Sequence, residues 1–408
     1  MSDNPPLTRA PVASPAEAPE SRAAGLPQLV LLLAASCFPV LGAVLIAPVL
    51  PQMAGHFAAT RGVVVLTPLA LAVPALLIGI TAPFAGIIAD RINRKRILLV
   101  AMAAYAVAGT APLYLESLEA IIGSRVLLGV CEAAIMTCVT TLIGDYWAGH
   151  QRARYLGMQT LVAAIAATVF LALGGALGEV GWRAPFGVYA VAAVLVVPMA
   201  RLLWDPQGDT QTAVARLEPL AWRQILRPCL VTLFGGAVFY ALIVQLSFVL
   251  TEVGMGSTAA IGGITAVMSL ATAVGAGLMG RLSSSSPRVL VPVEFGLAAV
   301  GLGVISLSGG AVPVIVVGAV ITGFGTGLLL PTLLLWAVNR LTFEQRGRGT
   351  GLWTGALFLG EFLSPLLIAA IGAGAGGLRP ALGVLGLAAA VMAGVVWLVA
   401  RSDTHQLR

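Results

Sequence analysis

Arg125 and Glu132 stand seven residues apart in a stretch otherwise free of charge, Val126 to Ile143. On a helix that spacing puts both on one face, about 10 Å apart by helical rise. Gly129 lies between them, where a missing side chain permits close helix packing. An ionisable group among so many apolar residues is expensive and marks a functional candidate. A carboxylate at Glu132 can accept a proton when it faces one side and release it on the other, and Arg125 steadies its charged form. The plainer alternative is a buried Arg–Glu pair that only holds helices together. Met136, one turn beyond Glu132, extends the same face as an apolar ligand contact.

Glu361 is the second acid in an apolar run, in Gly360-Glu361-Phe362-Leu363-Ser364-Pro365. Trp353 precedes it by eight residues, on roughly the same helical face. An acid and an aromatic on one cavity wall suit a cationic or amphipathic ligand, and Glu361 is with Glu132 a candidate for proton coupling. A neutral carboxylic acid bonded to a backbone carbonyl is the structural alternative. Tyr240 and Gln245 are polar groups in another apolar run and join as weaker ligand-contact candidates. Glu294 and Glu252 lie nearer the ends of their runs and are expected at the interface.

These residues need elements to hold them, and composition says which. Of 408 residues, 59% are hydrophobic and only 10% charged, with a mean hydropathy of +0.98. A soluble domain carries roughly a quarter charged residues. Apolar runs of 18 or more mark membrane helices, and they recur from end to end. The 48 glycines and 24 prolines fit, since both are commoner in membrane helices than in soluble ones. Twelve spans are predicted: about 28–50, 63–88, 97–115, 119–145, 154–178, 185–203, then 228–251, 258–280, 289–308, 311–338, 348–371 and 380–400. This gives an all-α membrane protein of two six-helix bundles, 28–203 and 228–400, joined by a linker at 204–227. Residues 1–27 read as a Pro/Ala/Ser/Glu-rich disordered tail and 401–408 as a short second tail.

Basic residues orient the chain. With both termini cytoplasmic, sixteen of the Arg and Lys residues, Lys95 and Arg152 among them, fall inside. Only Arg61, Arg183 and Arg379 fall in loops on the other side, the positive-inside asymmetry. The net charge of +6 is this bias and calls for no nucleic acid. The expected location is the inner, cytoplasmic membrane, and the expected state a monomer in the bilayer.

The halves repeat. An offset of 194 residues lays Gly86 on Gly280 and Arg94 on Arg288, and Gln151-Arg152-x-Arg154 on Gln345-Arg346-x-Arg348. Duplicated halves facing each other place a site between them near the midplane.

The hairpin Gly86-Ile-Ile-Ala-Asp90-Arg91-Ile-Asn93-Arg94-Lys95-Arg96 joins two predicted spans. With the six-plus-six organisation, it resembles the major facilitator superfamily over essentially 28–400. The family's loop motif matches at Gly86, Asp90, Arg91, Arg94 and Lys95. Asn93 replaces the family's second glycine, and Asn is the residue that next most readily adopts a left-handed turn. The resemblance implies alternating access, with this cluster, Asp145 and Arg152 forming a cytoplasmic gate. The second half has Ser284 in place of the acid, so the latch is expected to be one-sided. Trp182-Arg183-x-x-Phe186 is frequent in the superfamily too, and reads equally as an interfacial Trp with a snorkelling Arg.

Arg125-x-x-x-Gly129-x-x-Glu132-Ala with Asp145-Tyr-Trp resembles the fourth span of Spinster-like transporters and some organic-anion symporters. Related facilitators often carry Gln at the place of Glu361. Drug–proton antiporters carry Gly-Pro-x-x-Gly-Gly in the fifth span. Here the stretch is Phe170-Leu-Ala-Leu-Gly174-Gly175, so the glycine pair is kept and the Gly-Pro is not.

The function implied is a proton-driven transporter exporting amphipathic or lipophilic small molecules. Alternatives are import of a small organic anion with protons, with Arg125 as the anion contact, a lysolipid-type transporter, and a non-transporting membrane sensor. The only lysine, Lys95, lacks a glycine-rich run before it, which excludes a phosphate-binding loop. His56, His150 and His405 are scattered, and Cys37, Cys131, Cys138 and Cys229 lack metal-ligand spacing. No enzyme, metal or organic cofactor is expected, and the proton gradient stands in their place. Gly323, Gly325, Gly327 and Pro331 suggest a bend in the tenth span, and packing alone is the other explanation.

Overall fold

The computed structural model describes residues 24–84, 93–205, 222–282, 286–342 and 345–399. Among them are twelve helical segments long and apolar enough to cross a membrane. They are α1 Leu26–His56, α2 Val63–Phe84, α3 Arg94–Leu113, α4 Leu118–Tyr146, α5 Gly149–Gly178, α6 Ala184–Leu202, α7 Trp222–Glu252, α8 Thr258–Leu282, α9 Pro287–Ser306, α10 Val312–Val338, α11 Arg346–Ala375 and α12 Leu378–Leu398. The protein is a multi-pass, all-α membrane protein. The edges differ from the sequence reading by a few residues, mainly because α5, α7 and α11 start earlier. Their extra turns carry Arg152, Arg223 and Arg346, which can sit in a helix while reaching water.

Within the first half, α4 packs on α1, α2 and α3; within the second, α10 packs on α8 and α9, and α7 on α11. The two largest contacts between the halves are α2 with α11 and α5 with α8, and α7 also touches α1 and α2. Lipid gives helices no hydrophobic reason to associate, so close packing of small residues does this work. At the α5–α8 crossing, a Cβ on Gly175 would come within 2.6 Å of Gly262 Cα, and one on Gly262 within 2.7 Å of Gly175 Cα. Any side chain at either position would push the two backbones apart.

Helix α1 is interrupted at Leu45–Val49, where a turn and a 3₁₀ segment follow Pro39 and precede a second short helix. The starts of α1 and α3 meet the ends of α4 and α6 at one end of the molecule, here the termini end, and the start of α8 meets the end of α5 at the opposite, far end.

One expectation changes, and one pair of alternatives is narrowed. Asn93 is not left-handed: its φ is −59° and its side chain accepts the Arg96 N–H at 2.9 Å, capping the start of α3. Its value there is a short side-chain acceptor for an orphan helix N–H. Helix α10 runs unbroken from Val312 to Val338. Its glycines make room for neighbours instead: Gly323 meets Met268 O, Gly325 meets Glu294 O, and Gly327 meets Thr272.

Candidate functional site

Helix α4 carries Arg125 and Glu132 on one buried face, at 0% and 1% exposure. Gly129 sits between them against Pro74 of α2, where an added Cβ would come within 2.7 Å of the backbone. This contact fixes the height and rotation of α4. The Arg125 guanidinium lies over the rings of Phe186, at 4.8 Å, and Tyr189, at 5.0 Å, both from the start of α6. Tyr105 of α3 packs on Tyr189 and donates its hydroxyl to Phe38 O at 2.7 Å. A weakly hydrated, planar cation suits such an aromatic cage.

The guanidinium makes no hydrogen bond of good geometry, although the Tyr189 hydroxyl is within its reach, and Glu132 Oε1 meets no donor. The two groups feel each other's charge without forming a hydrogen-bonded pair. The simple Arg–Glu clasp that the spacing allows is therefore not made. Buried polar groups normally find partners, so this face of α4 has unused hydrogen-bonding capacity. Glu132 reaches α1 at Gly42, where an added Cβ would collide with Oε1.

The second half contributes Glu361, 5% exposed, from the middle of α11. Its position is set by contacts on either side: Gly360 packs on Leu233 O of α7, and Ser364 Oγ donates to Ala237 O at 2.7 Å. Glu361 and Glu132 lie within electrostatic reach of each other and of Tyr240. Tyr240 of α7 crosses between the halves, its hydroxyl 3.0 Å from Ala43 O and 3.2 Å from Leu71 O. The structure thus brings Arg125, Glu132, Tyr240 and Glu361 into one polar centre near mid-depth.

The other ligand-contact candidates lie around it. Met136 is half-buried one turn along α4 towards the termini end. Trp353, two turns from Glu361, is buried with its indole N–H unpartnered. Gln245 is buried further along α7 towards the far end.

At the termini end, Arg94 pairs with Asp145 and Lys95 Nζ donates to Ala200 O at 2.8 Å, tying α3 to α4 and α6. Arg152 lies over Gly144. Gly86, Asp90 and Arg91 lie outside the described residues. Trp182 is buried, and Arg183 stacks on it at 4.6 Å while pairing with Glu116 at 3.2 Å. That is a built contact more than a snorkelling one.

Glu294 is a correction. It is 1% exposed, not interfacial, and accepts the Thr332 hydroxyl at 2.6 Å from α10. A sequence window shows only depth along a helix, and α9 turns this residue inward between α8 and α10. Among the described residues no cluster of His, Cys, Asp and Glu could hold a metal, and all four cysteines are free.

A family model described as Major Facilitator Superfamily matches residues 32–311 and 255–407. This chain belongs to the major facilitator superfamily. One relative is the quinolone resistance protein NorA of Staphylococcus aureus, 28% identical over 211 residues, half of this chain and 54% of that one. Another is the class H tetracycline resistance protein of Pasteurella multocida, 24% identical over 47% of this chain and 48% of that one. The chain thus spans about half the length of these curated relatives. Among solved structures, a bacterial homolog of the human lysosomal transporter Spinster, inward-facing and unoccupied, gives a TM-score of 0.75. It is 18% identical over 92% of this chain and 96% of its own. A POT family transporter solved with a thioalcohol-conjugated peptide gives 0.73 at 13% identity. At these identities the likeness is one of fold.

Proposed function

We propose that this facilitator is a proton-coupled antiporter that exports amphipathic or lipophilic small organic molecules by alternating access. The observation that carries the reading is Tyr240 of the second half bonded to Ala43 O and Leu71 O of the first, with two buried carboxylates, Glu132 and Glu361, one from each half, within electrostatic reach of it. When the halves rock, such a centre faces each side of the membrane in turn. Glu132 takes and releases the proton, while Arg125 balances its charge when the proton leaves. Glu361, Trp353 and Met136 offer cargo an acid, an aromatic face and a flexible apolar side chain. The similarity to the quinolone and tetracycline resistance proteins supports an export reading. The termini end is the cytoplasmic side of the inner membrane, the working unit is a monomer, and the proton gradient is the energy source.

Arg125 supports a second reading. Its guanidinium, without a hydrogen-bonded carboxylate, suits an organic anion taken up with protons. The experiment is reconstitution in proteoliposomes with a trapped pH dye, challenged with lipophilic cations and with small organic acids. Protons moving opposite to a lipophilic cation are the expected result. Protons moving with an organic acid would replace the antiporter with the symporter, and silence to both panels would remove proton coupling.

A further inference from the structure

The far end of the molecule holds a contact that the proton-exchange centre does not use. Glu179 follows α5, and its Oε1 reaches across to the first turn of α8 in the other half. It accepts the Ser257 hydroxyl at 2.7 Å, the Thr258 hydroxyl at 3.3 Å and the Ala259 N–H at 2.8 Å. Ser257 in turn accepts the Ala260 N–H at 3.2 Å. Helix α8 is thus capped twice, once by its own serine and once by a carboxylate from the opposite half. The first four N–H groups of a helix have no partner within it, and an anion there also meets the positive end of the helix dipole.

The backbone beneath the carboxylate is just as close. Gly178 leaves no room for a Cβ beside Val49 and Thr258, and Gly175 none beside Gly262. Hydrogen bonds, that of the Ala259 N–H first, hold the Glu179 carboxyl below the usual carboxylate range, so it is charged at neutral pH. No charged side chain contributes to that shift. The carboxylate is exposed, yet three donors converge on one of its oxygens.

We propose that Glu179 is the outer gate residue of transport: by capping α8 from the other half, it holds the outer side closed and must let go each time the cavity opens outward. The inference rests on the alternating-access reading and on the termini being cytoplasmic, and adds to it a gate that is chemically distinct from the Arg94–Asp145 pair at the termini end. The two gates differ in reach. The Arg94–Asp145 pair joins helices of the same half, whereas Glu179 spans both halves, so it opposes outward opening directly.

The test is a distance measurement between spin labels at Arg61→Cys and Leu307→Cys, exposed far-end positions in opposite halves, with the four native cysteines replaced by Ser. Glu179→Ala is expected to raise the ratio of the longer, outward-open distance to the shorter one about tenfold, the size of one charge-assisted hydrogen bond. Glu179→Gln, an acceptor without the charge, should fall between, and Ser257→Ala should shift the same way by less. Unfolding midpoints recorded on the same samples separate a gate from a brace. Lowered midpoints with unchanged distance ratios would overturn the proposal, as would distributions identical to wild type. A single distance in wild type and in every variant would overturn both the gate and alternating access. Two distances whose ratio ignores position 179 would overturn the gate alone.

Discussion

The two buried acids of the polar centre keep different company. Glu132, in the first half, has a buried cation seven residues away, held by two aromatic rings of α6. Glu361, in the second half, has no basic side chain in electrostatic reach among the described residues. The two halves share a scaffold and differ in charge. A buried carboxylate without a cation is costly as an anion. In the proposed cycle the negative charge would therefore belong with Glu132, and Glu361 would be left to meet cargo. On that proposal the repeated halves would supply the hinge, and their difference in charge would decide which half handles the proton.

The largest expected effect comes from breaking the favoured half. Arg125→Ala leaves Glu132 without its cation and should cost about 3–5 kcal/mol of stability, seen as a lower melting midpoint in detergent. Adding Glu132→Gln to it should recover much of that loss, since an isolated neutral amide costs less than an isolated charge. Strict additivity of the two single variants would dissolve the electrostatic link between them. Arg125→Lys keeps the charge and loses the planar stacking, so a smaller loss, roughly 0.5–2 kcal/mol, is expected.

The same substitution in the other half sharpens the comparison. Glu361→Gln should leave proton movement intact and weaken recognition of cationic cargo, visible as a raised KM for cations with neutral cargo unchanged. Loss of proton flux in Glu361→Gln would make the halves equivalent and end the division of labour. The smallest effect belongs to the termini end. Asp145→Asn removes a partly exposed ion pair with Arg94, worth under about 1 kcal/mol, and should change transport rate more than melting midpoint.

Sequence patterning carried much of this. Hydropathy alone places twelve spans, and the repeat of Gly86 and Arg94 at Gly280 and Arg288 marks the two halves. Lone acids in long apolar runs stand out, so Glu132 and Glu361 are legible. What surrounds them is not. The cage of Arg125 comes from Phe186 and Tyr189, two spans away, and aromatics in apolar helices look like ordinary packing until the fold joins them. Glu179 lies in a short loop, where an acid is unremarkable, and its partners are in the opposite half. Glu294 shows the other limit. Depth in a span is readable, whereas the direction a side chain faces depends on which helices pack around it.

The account stands on Glu132 as the residue that carries the proton. The direct test loads one preparation of proteoliposomes with a pH dye and labelled cargo, then measures cargo exchange at equal pH alongside net proton flux. Glu132→Gln should still exchange cargo across the membrane while its proton flux falls to that of empty liposomes. Proton flux matching wild type in that variant would contradict the account.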